Sequence, residues 1–237
     1  IGGRHALGAT RWLTLGGISF QPSELAKMGL ILALARYLSD HPISGTFRLW
    51  SSRSQILWHG LIIPLAISIA PMLLAFKQPD LGTAILFFGI FLIMIFVSGM
   101  PYAFLGGFLG VCLLILPFGW HILKSYQKDR LLVFLNPNID PLGAGYTIIQ
   151  SKIAIGSGQL FGKGWLSGTQ NQLNFLPERH TDFIFSVIGE EWGLMGTIFL
   201  LVCYYILISN GLQVAEQVKD KFGTYLAVGI IGILALQ

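Results

Sequence analysis

Several groups that could exchange protons stand together immediately before a long apolar segment. The string from Leu176 to Phe183 reads LPERHTDF and includes Arg179, His180 and Asp182. Carboxylates and imidazoles are rare at the edge of a membrane segment unless water, ions or a substrate reach them. Asp182 suits a general base that abstracts a hydroxyl proton, and it equally suits a residue that stabilises a helix N-terminus. The residues alone leave both roles open.

Two further carboxylates, Glu190 and Glu191, follow inside the apolar segment. At about 1.5 Å per helical residue they lie about 12 Å beyond Asp182, and a rotation of about 100° separates their side chains. They therefore cannot both face the same partner. Because a charge inside a membrane is costly, we expect at least one to form an ion pair with protein; a proton or ion pathway is the alternative.

Three charged residues stand at other segment boundaries. Pro22 fits the first turn of a helix, and Glu24 and Lys27 are three residues apart, which predicts an ion pair on one helix face. Asp80 belongs to the short turn 77–80 between two apolar segments. There a plain turn and a ligand-facing carboxylate are the two alternatives.

A glycine-rich stretch, GSGQLFGKGWLSG, covers residues 156–168. It does not match the phosphate-binding P-loop pattern, which needs a lysine followed by serine or threonine after a strand. Its glycines would still let backbone amides approach a phosphate, and Lys152 and Lys163 supply positive charge. A turn-rich surface loop is an equally weighted alternative.

The composition excludes an ordinary soluble domain. Of 237 residues, 54% are hydrophobic and 11% are charged, and the mean hydropathy is +0.69. We predict an all-α fold, a polytopic helical membrane protein whose single membrane domain covers residues 1–237 as part of a longer protein. Segments long enough to be transmembrane helices are 56–76, 82–100, 102–123 and 183–209. Residues 22–38 are predicted as a short or amphipathic helix, and 223–237 as a truncated transmembrane helix.

Residues 125–182 form the long connection between predicted spans. Within it, the stretch from Gly143 to Ile155 has near-helical spacing of apolar residues, and its composition argues against disorder. The short loops carry basic residues and would be cytoplasmic. The long connection is basic too, but the positive-inside rule loses force for loops approaching about 60 residues. We therefore predict an extracytoplasmic loop that folds back onto the membrane surface.

The sequence gives little support for a metal site, a redox site or nucleic-acid binding. Cys112 and Cys203 lie in predicted spans, and the isolated His5, His59 and His121 lack metal-ligand spacing, so all five are interpreted as structural. The net charge of +4 is modest and its basic residues are scattered, which argues against nucleic acid. Membrane lipids and an anionic lipid-linked ligand are favoured partners. No cofactor is predicted with certainty, and a divalent cation (Mg²⁺ or Mn²⁺) stays open.

Four strings together resemble one protein family. They are GATRWLTLGGISFQPSELAK, KQPDLGTA, NPNIDPLGAGYTIIQSKIAIGSGQLFGKGW and LPERHTDFIFSVIGEEWG. They are similar to the SEDS proteins (shape, elongation, division and sporulation), and most similar to the rod-shape-determining members. The resemblance runs through nearly the whole chain and is more specific than any single motif. It implies a multi-pass protein of the bacterial inner membrane.

The resemblance also implies a peptidoglycan glycosyltransferase. Such an enzyme polymerises lipid II into β-1,4 glycan strands for cell-wall elongation and cell shape, with undecaprenyl pyrophosphate leaving. Its implied partner is a class B penicillin-binding protein. The family's catalytic residue corresponds to Asp182, and its other polar positions correspond to Glu24, Lys27 and Asp80.

Joining the resemblance to the chemistry of the residues, we predict Asp182 as the catalytic general base. Residues predicted to bind substrate or stabilise the departing pyrophosphate are Asp80, Lys152, Lys163, Arg179, His180 and Thr181. Residues predicted as structural or supporting polar groups are Glu24, Lys27, Glu190 and Glu191.

Two other functions stay open. Charged residues within or near spans also suit a lipid II flippase or transporter. A non-catalytic scaffold could instead recruit a penicillin-binding protein through its apolar faces. Since the first and last helices of the family are absent, these expectations concern the parent protein more securely than this piece of it.

Overall fold

The computed structural model describes residues 2–6, 9–15, 18–42, 52–78, 80–123, 125–143, 145–173, 175 and 182–237. The strands are β1 (Gly2–Ala6), β2 (Ala9–Leu15) and β3 (Ile18–Phe20). The α-helices are α1 (Pro22–Asp40), α2 (Ser52–Leu57), α3 (Ile63–Lys77), α4 (Leu81–Val97), α5 (Tyr102–Ile122), α6 (Ser125–Leu135), α7 (Tyr146–Ser157), α8 (Thr169–Gln172), α9 (Ile184–Gln217) and α10 (Lys221–Leu236). A π-helical turn, Trp58–Ile62, joins α2 to α3, and a 3₁₀ turn, Pro137–Ile139, follows α6.

The helical membrane fold that the composition predicted is confirmed. Within the described part of the chain, three helical stretches are long and apolar enough to cross a bilayer: Trp58–Lys77, Tyr102–His121 and Ile184–Gln217. Leu81–Val97 and Lys221–Leu236 are equally apolar in character but shorter. The chain forms two compact units, Ile1–Leu116 with Ile208–Gln237, and Pro117–Leu207.

The first unit begins with a feature that the sequence did not predict. β1, β2 and β3 form a small antiparallel sheet in chain order. The strands have only 5, 7 and 3 residues, and apolar runs this short give no reliable period. The sheet precedes α1 and leaves the membrane part of the fold helical.

The core of the first unit lies among α1, α3, α4 and α10. Leu34, Leu38, Phe91 and Met94 are completely buried there. Glycines allow α10 to approach its neighbours closely: Gly229 lies against Ile31 of α1. Small residues commonly permit such contacts between membrane helices, where dispersion forces replace the hydrophobic effect.

A proline explains the π-helical turn between α2 and α3. Pro64 has no N–H to donate to the carbonyl four residues earlier, and its ring would clash with that carbonyl in a regular helix. The wider turn Trp58–Ile62 immediately precedes Pro64. Such turns accommodate a local break without ending the helix.

The second unit contains more regular structure than the sequence indicated. Within the predicted loop 125–182, the structure has not only the helix expected near Gly143 to Ile155, here α7, but also α6, the 3₁₀ turn and α8. The connection is therefore a folded unit and not a simple loop. The apolar pattern missed α6 because charged residues interrupt it.

The last two helices are separated by less than the sequence predicted. α9 continues to Gln217 and α10 starts at Lys221, so the connection is three residues long, where the sequence suggested a loop over 210–222. Polar residues end the apolar stretch, but most of them are good helix formers. A helix can therefore continue after the chain has left the hydrocarbon region.

Candidate functional site

The candidate site of the second unit is built around a break in α9. At Gly193 the backbone has φ 64° and ψ −159°, which interrupts the helix. That conformation is open to glycine and strained for other residues. Helix breaks at membrane depth are tolerated where other protein groups satisfy the freed backbone.

The glycine-rich stretch provides those groups, and we call residues 158–168 the glycine loop. The amides of Lys163 and Gly164 donate to the carbonyls of Glu190 and Glu191, each at 3.0 Å. On the other side of the break, the amide of Leu194 donates to Gln159 O at 2.8 Å, and that of Met195 to Leu160 O at 3.1 Å. The loop therefore replaces the hydrogen bonds that α9 loses at Gly193.

Glycines make this close approach possible. A Cβ on Gly158 would clash with the carbonyl oxygen of Gly189, and one on Gly162, where φ is +78°, would clash with the carbonyl of Glu191. Because the loop amides already donate to α9 carbonyls, they are not free to bind a phosphate. The structure therefore favours the structural interpretation of the glycines over the phosphate-binding one.

Glu190 is fully buried at the centre of this arrangement. Its Oε1 accepts hydrogen bonds from Lys163 Nζ at 2.8 Å, Thr169 Oγ1 at 3.1 Å and the amide of Gln170 at 3.1 Å. Lys163 Nζ also donates to Thr169 Oγ1 at 2.8 Å. The glycine loop, α8 and α9 are thus joined through one carboxylate oxygen. For Glu190 this matches the expected ion pair with protein, and it places Lys163 in that pair.

Glu191 points differently, as the helical rotation required. Its Oε2 accepts a hydrogen bond from the amide of Leu166 at 3.2 Å. It also lines an open groove of about 440 Å³ together with Phe161, Trp165, Trp192, Met195 and Phe199. The two neighbouring carboxylates therefore serve two different parts of the same loop.

Asp182 lies at the water-exposed beginning of α9. It is exposed and precedes Phe183, whose carbonyl accepts the first helical bonds from the amides of Ser186 and Val187. With the residues that the structure describes, its carboxylate forms no hydrogen bond or ion pair. The Asp182 carboxylate is therefore accessible and pairs with no described basic residue, so it could accept a proton as a general base.

The first turns of α9, which follow Asp182, are held against α7. Ser151 Oγ and Ser186 Oγ form a 2.6 Å hydrogen bond between α7 and α9, and Gly189 packs against Ile155 of α7. The start of α9 is therefore fixed by α7 on one side and by the glycine loop at its break.

Of the other predicted substrate residues of this unit, Lys152 lies among the described residues. Lys152 is exposed on α7, outside the ion-pair network. Arg179, His180 and Thr181 lie outside the described residues. The structure therefore brings together Lys163, Glu190 and Glu191, and it leaves the grouping of Lys152 and Arg179 around Asp182 as a prediction.

The remaining predicted residues belong to the first unit. Glu24 Oε2 and Lys27 Nζ form a 2.8 Å ion pair within α1, with the lysine side chain 3% and the glutamate side chain 58% exposed. Asp80 is half-buried and caps α4, where its Oδ1 accepts a hydrogen bond from the amide of Thr83 at 3.2 Å. Asp80 therefore has a structural use, and a ligand-facing role for it stays a prediction.

A metal ion has no obvious residue set in the described ranges. There, no group of three or more His, Cys, Asp and Glu side chains is placed to hold one.

The whole chain also matches a family model. The model, described as a cell cycle protein and covering FtsW, RodA and SpoVE, matches residues 1–237. The chain belongs to the FtsW/RodA/SpoVE family. The resemblance to SEDS proteins that the motifs indicated is thereby confirmed. Peptidoglycan glycosyltransferase MrdB of Escherichia coli K12 is 45% identical over 233 residues, covering 98% of this chain and 60% of that protein.

Solved structures agree with this membership of the FtsW/RodA/SpoVE family. A peptidoglycan synthase complex that coordinates polymerization and crosslinking matches with a TM-score of 0.74 and 33% identity, over 98% of this chain and 61% of that one. The rod shape determining protein RodA of Thermus thermophilus matches with a TM-score of 0.58 and 28% identity, over 98% and 56%. The chain thus spans about 60% of the length of the relatives it matches.

Sequence reasoning about this family member missed three contributors to the site. Thr169 and Gln170 bind Glu190, and Gly193 breaks α9. A glycine inside an apolar helical run was a possible signal for the break. No sequence pattern indicated Thr169 or Gln170, because their role depends on a contact with a helix about twenty residues away.

Proposed function

We propose that the protein to which this chain belongs is a peptidoglycan glycosyltransferase that polymerises lipid II. The observation that carries the proposal is Asp182, an exposed carboxylate at the start of the membrane helix α9 in a FtsW/RodA/SpoVE family member. The relative MrdB, which is named for this activity, supports it. The proposed activity belongs to the whole protein, because this chain spans only about 60% of the length of its relatives.

In this proposal Asp182 acts as the general base. It takes the proton from the 4-hydroxyl of a GlcNAc on one lipid-linked sugar, and that oxygen attacks the anomeric carbon of the second. The new glycosidic bond forms as the bond to undecaprenyl pyrophosphate breaks, and the electron pair leaves with the pyrophosphate. In-line displacement inverts the anomeric centre and gives a β-1,4 strand.

Cationic side chains would stabilise the departing pyrophosphate. Lys152 is exposed on α7, and Arg179 is close to Asp182 in sequence. Lys163 contributes less in our proposal, because Glu190 already neutralises it at 2.8 Å. His180, Thr181 and Asp80 complete the proposed substrate contacts, and positive groups near the leaving group lower the barrier by compensating its developing charge.

The proposed cellular setting follows from the same family. We place the protein in the bacterial inner membrane with residues 125–182 on the extracytoplasmic side, where lipid-linked sugars are joined. A class B penicillin-binding protein is the proposed partner that crosslinks the strands. The match to a complex coordinating polymerization and crosslinking supports this pairing.

The test is polymerisation of purified lipid II by the full-length protein and its Asp182→Asn variant. We expect glycan strands from the unchanged protein and none from the variant, whose amide cannot accept the proton. Asp129→Asn is the matched control, since Asp129 is another exposed carboxylate of the second unit. Strands of normal length and rate from Asp182→Asn would remove Asp182 from the mechanism.

The transport alternative finds no specific support in this geometry. It relied on Glu24, Lys27, Glu190 and Glu191. Glu24 pairs with Lys27, Glu190 pairs with Lys163, and Glu191 accepts a hydrogen bond from the amide of Leu166. Pairs of this kind hold elements together. Translocation of labelled lipid II in vesicles, measured with the same Asp182→Asn variant, would separate transport from polymerisation.

A further inference from the structure

The glycine loop exposes large apolar side chains. Leu160, Phe161, Trp165 and Leu166 are 57%, 80%, 70% and 63% exposed. We call these four side chains the apolar loop face. A cluster of exposed apolar residues usually marks a surface that another apolar phase covers.

Hydrogen bonds fix the depth of this loop relative to α9. Gln159 O and Leu160 O accept the amides of Leu194 and Met195. Those two residues are near the start of the stretch 192–215, which contains no Asp, Glu, Lys or Arg. At about 1.5 Å per residue this stretch extends about 36 Å, enough for a hydrocarbon core of about 30 Å. The loop is therefore fixed level with the start of this charge-free stretch of α9.

Several backbone amides of the glycine loop already have acceptors within the protein and do not need water. The amides of Gly162, Lys163, Gly164 and Leu166 all donate to protein acceptors. Irregular backbone is tolerated at membrane depth only when its polar groups are satisfied by protein. These four amides are therefore already satisfied by protein, which lowers the backbone cost of entering lipid.

The charge of the loop is compensated as well. Lys163 is the one charged residue between positions 158 and 168, and Glu190 binds it at 2.8 Å. An uncompensated lysine would hold the loop in water. The ion pair removes that obstacle while the apolar loop face points outward.

Aromatic residues occupy the same level of the helix. The rings of Trp165 and Trp192 lie 5.8 Å apart, and they line the groove that continues along α9 past Met195 to Phe199. Met195 and Phe199, four residues apart after the break at Gly193, share one face of α9. Tryptophan prefers the boundary between lipid headgroups and acyl chains, where its ring is apolar and its N–H is solvated.

We propose that the apolar loop face inserts into the membrane leaflet at which α9 enters, with phospholipid acyl chains as its partner. Leu160, Phe161, Trp165 and Leu166 then lie at the hydrocarbon boundary, and the loop anchors the break at Gly193 to the bilayer. This role is independent of the proposed enzymatic activity, because it concerns only where the second unit meets lipid.

The test measures membrane depth with nitroxide labels on the full-length protein in phosphatidylcholine vesicles. Cys112 and Cys203 are first replaced by serine, and labels are attached at Phe161→Cys or Leu166→Cys. Asn138→Cys is the control, since Asn138 is an exposed polar residue of the same unit. Collision rates with oxygen, which concentrates in lipid, and with a water-soluble nickel chelate are then compared.

We expect oxygen to collide with the labels at 161 and 166 several-fold more often, relative to nickel, than with the label at 138. Nickel access at 161 equal to that at 138 would overturn the proposal, since the loop would then be in water. Low access for both reagents would overturn it too, because another protein segment would then cover the loop. As a label-free check, brominated phospholipid should quench the emission component that Trp165→Phe removes, and unchanged quenching would count against insertion.

Discussion

Two lysine–glutamate pairs in the described part of the chain have the same N–O distance but differ in which partner is buried. In the first unit, Glu24 and Lys27 are three residues apart on α1, and the lysine is the buried partner. In the second unit, Lys163 and Glu190 are 27 residues apart, and the glutamate is the buried partner. The first pair belongs to one helix, whereas the second joins the glycine loop to a broken helix.

The difference shows what each unit requires of its charges. Removing the charge of Lys27 would leave Glu24 in water, where it is readily solvated. Removing the charge of Lys163 would leave Glu190 inside protein with only Thr169 and Gln170 as partners. The first pair follows from the spacing of its residues within one helix. The second pair helps to hold the tertiary structure of the second unit together.

The same substitution in both pairs tests this comparison most directly. Lys163→Met should destabilise the protein by about 3 kcal/mol, because it leaves a buried carboxylate without its counter-ion. Lys27→Met should change stability by less than about 1 kcal/mol, because its partner is exposed and the new side chain is apolar. Both are measured as free energies of unfolding in mixed detergent micelles.

Glu24→Gln provides the control for charge at the exposed end of the first pair, and it should also have a small effect. Equal losses from Lys163→Met and Lys27→Met would contradict the comparison. Such a result would mean that burial of the remaining glutamate does not determine how much unfolding free energy is lost.

The glycines of the two units offer a second comparison. Gly193→Ala should destabilise by about 1–3 kcal/mol from its positive φ alone, and its Cβ would also lie 2.8 Å from Gly158 O. Gly29→Ala in α1 has open space around the new Cβ and should stabilise by about 0.5–1 kcal/mol through helix propensity. Thermal unfolding followed by tryptophan emission measures both changes.

Opposite signs for these two alanine variants are the expected pattern. If Gly193→Ala were neutral, the break in α9 would not depend on the glycine conformation. The role of the glycine loop in replacing lost helical hydrogen bonds would then need revision.

The smallest expected effect concerns the hydroxyl pair between α7 and α9. Ser186→Ala should cost about 1 kcal/mol, because it leaves Ser151 Oγ without its 2.6 Å partner. The double variant Ser151→Ala with Ser186→Ala should cost no more than the single one. A double-mutant cycle measures the coupling, and additive losses would show that the two hydroxyls act separately.

Local patterns in the sequence anticipated much of this protein. The hydropathy indicated helices at α3, α4, α5, α9 and α10, and Pro22 with Glu24 and Lys27 indicated the start and the ion pair of α1. The family motifs indicated the family itself, and the catalytic role that they suggest for Asp182 stays a prediction. Each of these depends on residues close together in the chain, or on strings specific enough to be recognised.

The sequence could not assign partners across the second unit. It predicted a substrate contact for Lys163 and did not indicate the ion pair of Lys163 with Glu190. It left the glycines between a phosphate site and a turn, whereas the structure uses them to approach α9. It also treated α6 and α8 as part of a loop, because short polar helices have no apolar period to reveal them.

The amino-acid order by itself determined a helical membrane protein and a carboxylate just before α9, because hydropathy and local spacing act within a few turns of the chain. Only the tertiary structure decided which charge neutralises Glu190, which carbonyls accept the amides freed at Gly193 and which apolar side chains face outward. Those outcomes depend on groups that are distant in sequence and meet only after the chain has folded. A broken helix is stable only when that meeting satisfies its freed backbone groups, and a buried carboxylate only when it brings a counter-charge.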